Sequence, residues 1–126
     1  AINILLLVQP IVLIMIFCFD LDNVICKSDS LDYSISKPYV DVIHKINSLY
    51  DKGNKILIFT ARYMGRNNGN KDLAIQQGYK STEIQLRQWD LKYHELIFGK
   101  PIYDVFVDDK NFDFKKDWLL DFKKRY

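Results

Sequence analysis

The stretch MIFCFDLDN, residues 15–23, decides how the chain is read. Met15–Phe19 is apolar without alternation, and Asp20 and Asp22 follow at once. An unbroken apolar run of this length reads as a strand covered on both faces, the pattern of a parallel sheet. Two acids two residues apart share one side if strand geometry continues. In open parallel sheets, ligands and chemistry collect beyond the carboxyl ends of the strands. The other strand ends therefore matter most.

Residues 23–37, NVICKSDSLDYSISK, are polar and serine-rich and read as a loop or small flap. Pro38 is placed to open a helix, where its missing N–H costs nothing. Tyr39, Val42, Ile43, Ile46, Leu49 and Tyr50 keep the spacing of one helical face, and Gly53 suits the position just past its end. Lys55–Phe59 reads as a second buried strand, ending at Thr60, with Ala61 and Arg62 next. The polar run MGRNNGN, residues 64–70, reads as a mobile loop. A helix over Asp72–Gln77 is expected to break at Gly78, and a second to start at Thr82, with Gln85 completing a capping box, and run to Leu91. Leu96–Phe98 is a short strand before Gly99-Lys100-Pro101. Asp104–Val107 reads as another strand, ending at Asp108-Asp109, and residues 114–124 as a last helix. Strands alternating with helices predict an α/β fold with a mostly parallel sheet.

A chain of 126 residues with 48% hydrophobic and 27% charged residues is ordinary globular material for one domain. Eighteen Lys and Arg against 16 Asp and Glu leave a net charge of +2, with no basic track, so no nucleic-acid partner is expected. Cys18 and Cys26 have no metal spacing and form no disulfide framework, which suits a cytoplasmic protein. Residues 1–14 are apolar and carry no charge. They lack a basic leader and a cleavage site, Pro10 interrupts them, and they run straight into the strand that must deliver Asp20 to water. They read as an extension upstream of a natural start at Met15 and not as a membrane anchor, with 15–126 as the single folded domain.

Carboxylates gathered at strand ends need a cation to stay ionised together. Oxygen donors without His favour Mg²⁺. Thr60 offers a hydroxyl to a phosphate oxygen, and Lys100 a positive charge. A carboxylate, a hydroxyl, a lysine and Mg²⁺ suit phosphoryl transfer to an aspartate. Each residue alone has a plainer role as turn, cap or solvated side chain. Their coincidence at successive element ends argues for a site. His94 reads as structural, His44 as facing solvent, and Cys26 as having no part in the chemistry.

FDLDN (19–23), IFT (58–60), GK (99–100) and VFVDD (105–109) together resemble the four motifs of the haloacid dehalogenase-like (HAD) superfamily of phosphatases. The longer strings TARYM, YHELIFGKP and DVFVDDK are similar to those of small phosphatases linked to bacterial capsule and surface-polysaccharide biosynthesis. The resemblance implies a HAD-like Rossmannoid three-layer α/β/α sandwich. It implies Asp20 as nucleophile and Asp22 as general acid and then base. Thr60 and Lys100 would hold the phosphate, and Arg62 would reach the substrate or its phosphate. Mg²⁺ would be bound by Asp20, the Asp22 carbonyl and one of Asp109 and Asp108, the other lying behind it or adding a further contact. Asn23 and Val24 depart from the Gly and Thr common at those positions, but Asn accepts the left-handed backbone such a turn needs.

The spacing between motifs leaves no room for a cap domain. An open site would then rely on the 23–37 flap, the 64–70 loop or a neighbouring subunit of a homo-oligomer to exclude water. The expectation is a Mg²⁺-dependent phosphatase acting on a small phosphorylated sugar or alcohol. The alternatives are a polynucleotide 3′-phosphatase or nucleotidase, and a non-catalytic HAD-like binding protein. A phospho-accepting receiver domain is disfavoured by chain order, since its acidic pair belongs on the first strand.

Overall fold

The computed structural model describes residues 14–126. The expectation for residues 1–14 falls outside these residues except at Ile14, which is exposed. Element order is β1 (Ile16–Asp20), β2 (Cys26–Lys27), β3 (Lys37–Pro38), α1 (Val40–Asp51), β4 (Lys55–Thr60), α2 (Lys71–Gln88), β5 (Glu95–Phe98) and α3 (Trp118–Arg125). Strands β1, β4 and β5 form a parallel sheet in that order, with β4 in the middle. The architecture is thus mixed α/β with a parallel sheet, as the alternation of strands and helices implies.

Register explains why the polar strand ends meet. Asp20 lies opposite Phe59, and Thr60 opposite Phe98. All three strands therefore finish at one edge of the sheet, and the residues just after them share that edge. On β4, Ile56, Ile58 and Thr60 are completely buried on one face. Helix α1 turns Val42, Ile43, Ile46 and Leu49 into the core, the face its sequence period marks. It ends at Gly53, whose φ of +96° is the left-handed geometry that glycine adopts without strain. His94 serves the fold, its Nδ1 accepting the Ile56 N–H at 3.0 Å while its ring stacks on Tyr50.

Four expectations are corrected. First, Asp104–Val107 forms no strand, and Val105, Phe106 and Val107 are exposed. Consequently β1 has a partner only in β4 among the described residues, and Ile16 and Cys18 stay open to solvent. Second, the 23–37 segment, read as a loop or small flap, is more ordered than a plain loop. Strands β2 and β3 pair antiparallel, and Asp32 caps a single 3₁₀ turn at Tyr33–Ile35. Third, the last helix starts at Trp118, four residues later than its composition suggests. It packs Phe122 against Phe17 and Phe19 of β1.

The fourth correction concerns Gly78. Helix α2 passes through it without a break, and Ala74, Gly78, Thr82 and Leu86 form its buried stripe. Thr82 and Gln85 lie mid-helix, and Asn70 is the cap, its side chain accepting from the Leu73 N–H at 3.1 Å. Glycine is required at 78 because the Tyr63 ring lies where a β-carbon would go. Alanine improves helix propensity by about 1 kcal/mol, but overpacking costs about 1–3 kcal/mol. Gly78→Ala should therefore lower unfolding free energy by up to about 2 kcal/mol, the difference of these terms. Urea denaturation of both proteins checks this, and a more stable variant would contradict the packing of Tyr63.

Candidate functional site

The site begins at the end of β1. The Asp20 carboxylate is half-exposed. Its Oδ1 accepts the Leu21 N–H at 2.9 Å, and its Oδ2 lies 3.3 Å from the Lys100 ammonium. The backbone then turns sharply. Asn23 takes φ +65°, and the Ile25 N–H returns to the Leu21 carbonyl at 2.9 Å. Leu21 and Ile25 are completely buried and anchor the turn from below. Asn23 thus fills the left-handed position expected of it.

Lys100 arrives from the neighbouring chain segment after β5. Its N–H donates to the Thr60 carbonyl at 3.1 Å, so the end of β4 fixes where the lysine leaves the sheet. Burial works against the Lys100 charge, but the Tyr103 hydroxyl and Asp20 outweigh it and hold the group above the usual lysine range. For Asp20 burial dominates and pushes the carboxyl upward, with Lys100 pulling it partly back. Asp20, Asp22, Ser28, Tyr33, Arg62 and Lys100 line a cavity of about 480 Å³.

Asp22 is held from two sides. Arg62 Nε lies 3.0 Å from Oδ2 and Nη2 2.9 Å from Oδ1, a two-pronged ion pair. The Ser28 hydroxyl donates to Oδ1 at 2.6 Å. Arg62 itself is only 2% exposed. Its Nη1 donates to Gln85 Oε1 at 2.7 Å and to Thr82 Oγ1 at 3.4 Å, and Tyr33 covers the guanidinium face at 4.5 Å. Cys26 Sγ sits 3.5 Å from Asp22 Oδ1, and burial pushes its thiol up to about 11.

Of the residues singled out in the sequence, Asp20, Asp22, Arg62 and Lys100 come together around the cavity. Arg62 contributes to the cavity wall with its side-chain N–H groups engaged by Asp22, Gln85 and Thr82. Thr60 is fully buried beneath the site, its Oγ1 accepting the Arg62 N–H at 3.1 Å. Asp108 and Asp109 remain outside. Both are exposed, and Asp108 Oδ1 accepts the Lys110 N–H at 3.1 Å, which together with Asp109 lowers its carboxyl. Among the described residues no three His, Cys, Asp or Glu side chains gather as a metal-holding group. The oxygen donors needed for Mg²⁺ are present in kind, but the 104–109 segment does not bring its pair to Asp20.

Ser28, Tyr33, Thr82 and Gln85 are site residues that the sequence reading passed over. Thr82 carried a signal. It is the polar member of the Ala74-Gly78-Thr82-Leu86 stripe, and a polar group on a buried stripe needs a partner.

A crystal structure of a structural-genomics target from Vibrio cholerae is similar to this chain. The TM-score is 0.70 at 28% identity, over 76% of this chain and 80% of that one. Neither a protein-family model nor a curated protein matches the chain. Among the described residues no helix is long and apolar enough to cross a membrane.

The raised Asp20 carboxyl has a consequence for stability. Between its ordinary value of 3.8 and its raised value, the folded state binds more protons than the unfolded state. Stability therefore falls as pH rises through that window. Asp20→Asn should leave the melting temperature at pH 7 equal to or above that of the parent, with the difference shrinking below pH 3.8. Melting curves at pH 3 and 7 test this, and a variant clearly less stable at pH 7 would contradict it.

Proposed function

We propose that the chain is a HAD-type phosphatase that hydrolyses a small phosphomonoester, such as a phosphorylated sugar or alcohol, through an aspartyl-phosphate. The observation that carries this reading is the placement of Asp20 at a parallel strand end, paired with Lys100 and opening on a cavity whose next acid is Asp22. The motifs around these residues supply the family resemblance. The finer fold assignment, a three-layer HAD sandwich without a cap domain, belongs to the same proposal. The free thiols Cys18 and Cys26 accord with a cytoplasmic setting.

In this reading the phosphate enters the cavity beside Lys100, whose charge offsets that of the phosphoryl oxygens. An Asp20 carboxylate oxygen attacks phosphorus, the P–O bond to the leaving alcohol breaks, and Asp22 gives that oxygen its proton. Asp22 then takes a proton from water as it attacks the acyl phosphate, which releases inorganic phosphate and restores Asp20. The resemblance names Asp20, the Asp22 carbonyl and the Asp108-Asp109 pair as the residues that would hold Mg²⁺, and for the pair to do so the exposed 104–109 segment must approach Asp20. When bound, the ion would neutralise charge on the transferring phosphoryl group. The cavity mouth is bordered by Ser28, Tyr33 and Tyr103, so the serine-rich segment supplies the wall that a cap domain would otherwise provide.

A panel of phosphorylated sugars, amino alcohols and nucleotides, assayed for phosphate release, tests the proposal. Asp20→Asn should bring turnover to background with the fold intact, because an amide cannot serve as this nucleophile. Asp22→Asn should lower turnover by about 10²–10⁴-fold, the usual worth of a positioned acid–base group. Excess EDTA should abolish activity and Mg²⁺ restore it. Full turnover by Asp20→Asn, or in EDTA, would overturn the reading.

A further inference from the structure

We propose that Arg62 is a positioning residue that fixes the Asp22 carboxylate and couples it to the seating of the Tyr33 segment on α2. This inference rests on the phosphatase reading for its catalytic consequence, but its structural content stands on the contacts themselves.

Arg62 is among the least exposed residues of the described chain, and it carries a permanent charge. The edges and one face of its guanidinium meet different parts of the fold. Nε and Nη2 grip Asp22, which follows β1. Nη1 reaches Gln85 and Thr82 on α2. Tyr33 lies over one face. Gln85 closes the circuit, because its Nε2 donates to the Tyr33 carbonyl at 2.7 Å while its Oε1 accepts from Arg62. A parallel connection runs from Asp22 through Ser28 to Ser36, whose hydroxyls lie 2.6 Å apart. The segment containing Ser28, Tyr33 and Ser36 is therefore tied to Asp22 by two routes.

This arrangement leaves Arg62 little to offer a phosphate. Its side chain is 1% exposed, and its donors already have acceptors. What it can do is hold one rotamer of Asp22. Tyr33 also separates two cavities of about 480 Å³, the one over Asp20 and a second lined by Tyr63, Arg66, Gln85 and Gln88. Both cavities include Tyr33 and Arg62 in their walls, so movement of the Tyr33 segment alters the cavity shape and the support of Asp22 together.

The test uses the full chain in a Cys18→Ser background, so that Cys26 is its only thiol. Cys26 is fully buried and touches both Asp22 and Arg62, and its labelling by a disulfide reagent reports seating of the segment without any need for activity. Kinetics are read on an alkyl phosphate, whose leaving group needs a proton, and on p-nitrophenyl phosphate, whose leaving group does not. Arg62→Lys keeps the charge but loses the fork. It should lower kcat on the alkyl phosphate by about 10–100-fold, the range expected of a misplaced catalytic group, with KM little changed and a smaller loss on p-nitrophenyl phosphate. Gln85→Leu removes the link between Arg62 and the Tyr33 carbonyl without substituting Arg62 or Asp22. It should speed Cys26 labelling and lower kcat on the alkyl phosphate in the same direction.

A rise in KM on both substrates with kcat unchanged would overturn the proposal and make Arg62 a phosphate ligand. Unchanged Cys26 labelling in Gln85→Leu would overturn the coupling. Phosphate release by Asp20→Asn at the parent rate would instead overturn the aspartyl-phosphate reading and the catalytic role with it, while the labelling result still decides whether the Tyr33 segment is coupled to Arg62.

Discussion

A buried guanidinium cannot shed its charge, so the fold around Arg62 must supply partners. It does so from three places far apart in sequence: the turn after β1, the middle of α2, and the serine-rich segment between β2 and β3. Removing the partner of a buried charge typically costs about 3–5 kcal/mol, an upper figure here because Asp22 is partly open to the cavity. Among the described residues no buried side-chain nitrogen or oxygen lacks a hydrogen-bond partner, so the cluster is satisfied throughout. Such a network ties separate elements into one arrangement, and it lies directly beneath the cavity.

The second constraint is parallel register. With Asp20 opposite Phe59 and Thr60 opposite Phe98, three strand ends finish level. The chain leaving β5 then bonds back to the Thr60 carbonyl and projects Lys100 toward Asp20. The pair is strained in an informative direction. Burial raises the Asp20 carboxyl despite the neighbouring ammonium, so the fold holds this acid where its charged form is disfavoured. Groups with this kind of perturbation cluster where chemistry is done.

Much of this was legible in the residues themselves. The apolar runs at Met15–Phe19 and Ile56–Phe59 marked β1 and β4, with Asp20 and Thr60 at their ends and Lys100 just past β5. The α1 face followed from spacing alone. The failures have physical causes. DVFV has the composition of a buried strand, yet composition does not choose a partner, and among the described residues these side chains stay exposed. Gly78 signals a break when only propensity is weighed, but a single aromatic ring from Tyr63 required the missing β-carbon. For Arg62, placed just after Thr60 and expected to reach the substrate or its phosphate, the residues that orient it were not legible. Its direction is set by Thr82 and Gln85, some twenty residues on, and no local pattern reports such a pairing.

The central claim is that Asp20 becomes covalently phosphorylated. It is tested most directly by quenching the protein during turnover, reducing any acyl phosphate with borohydride, and sequencing the peptides by mass spectrometry. The account predicts homoserine at position 20 and an unmodified Asp22. Modification at another residue, or phosphate release with Asp20 unaltered at every quench time, would contradict it.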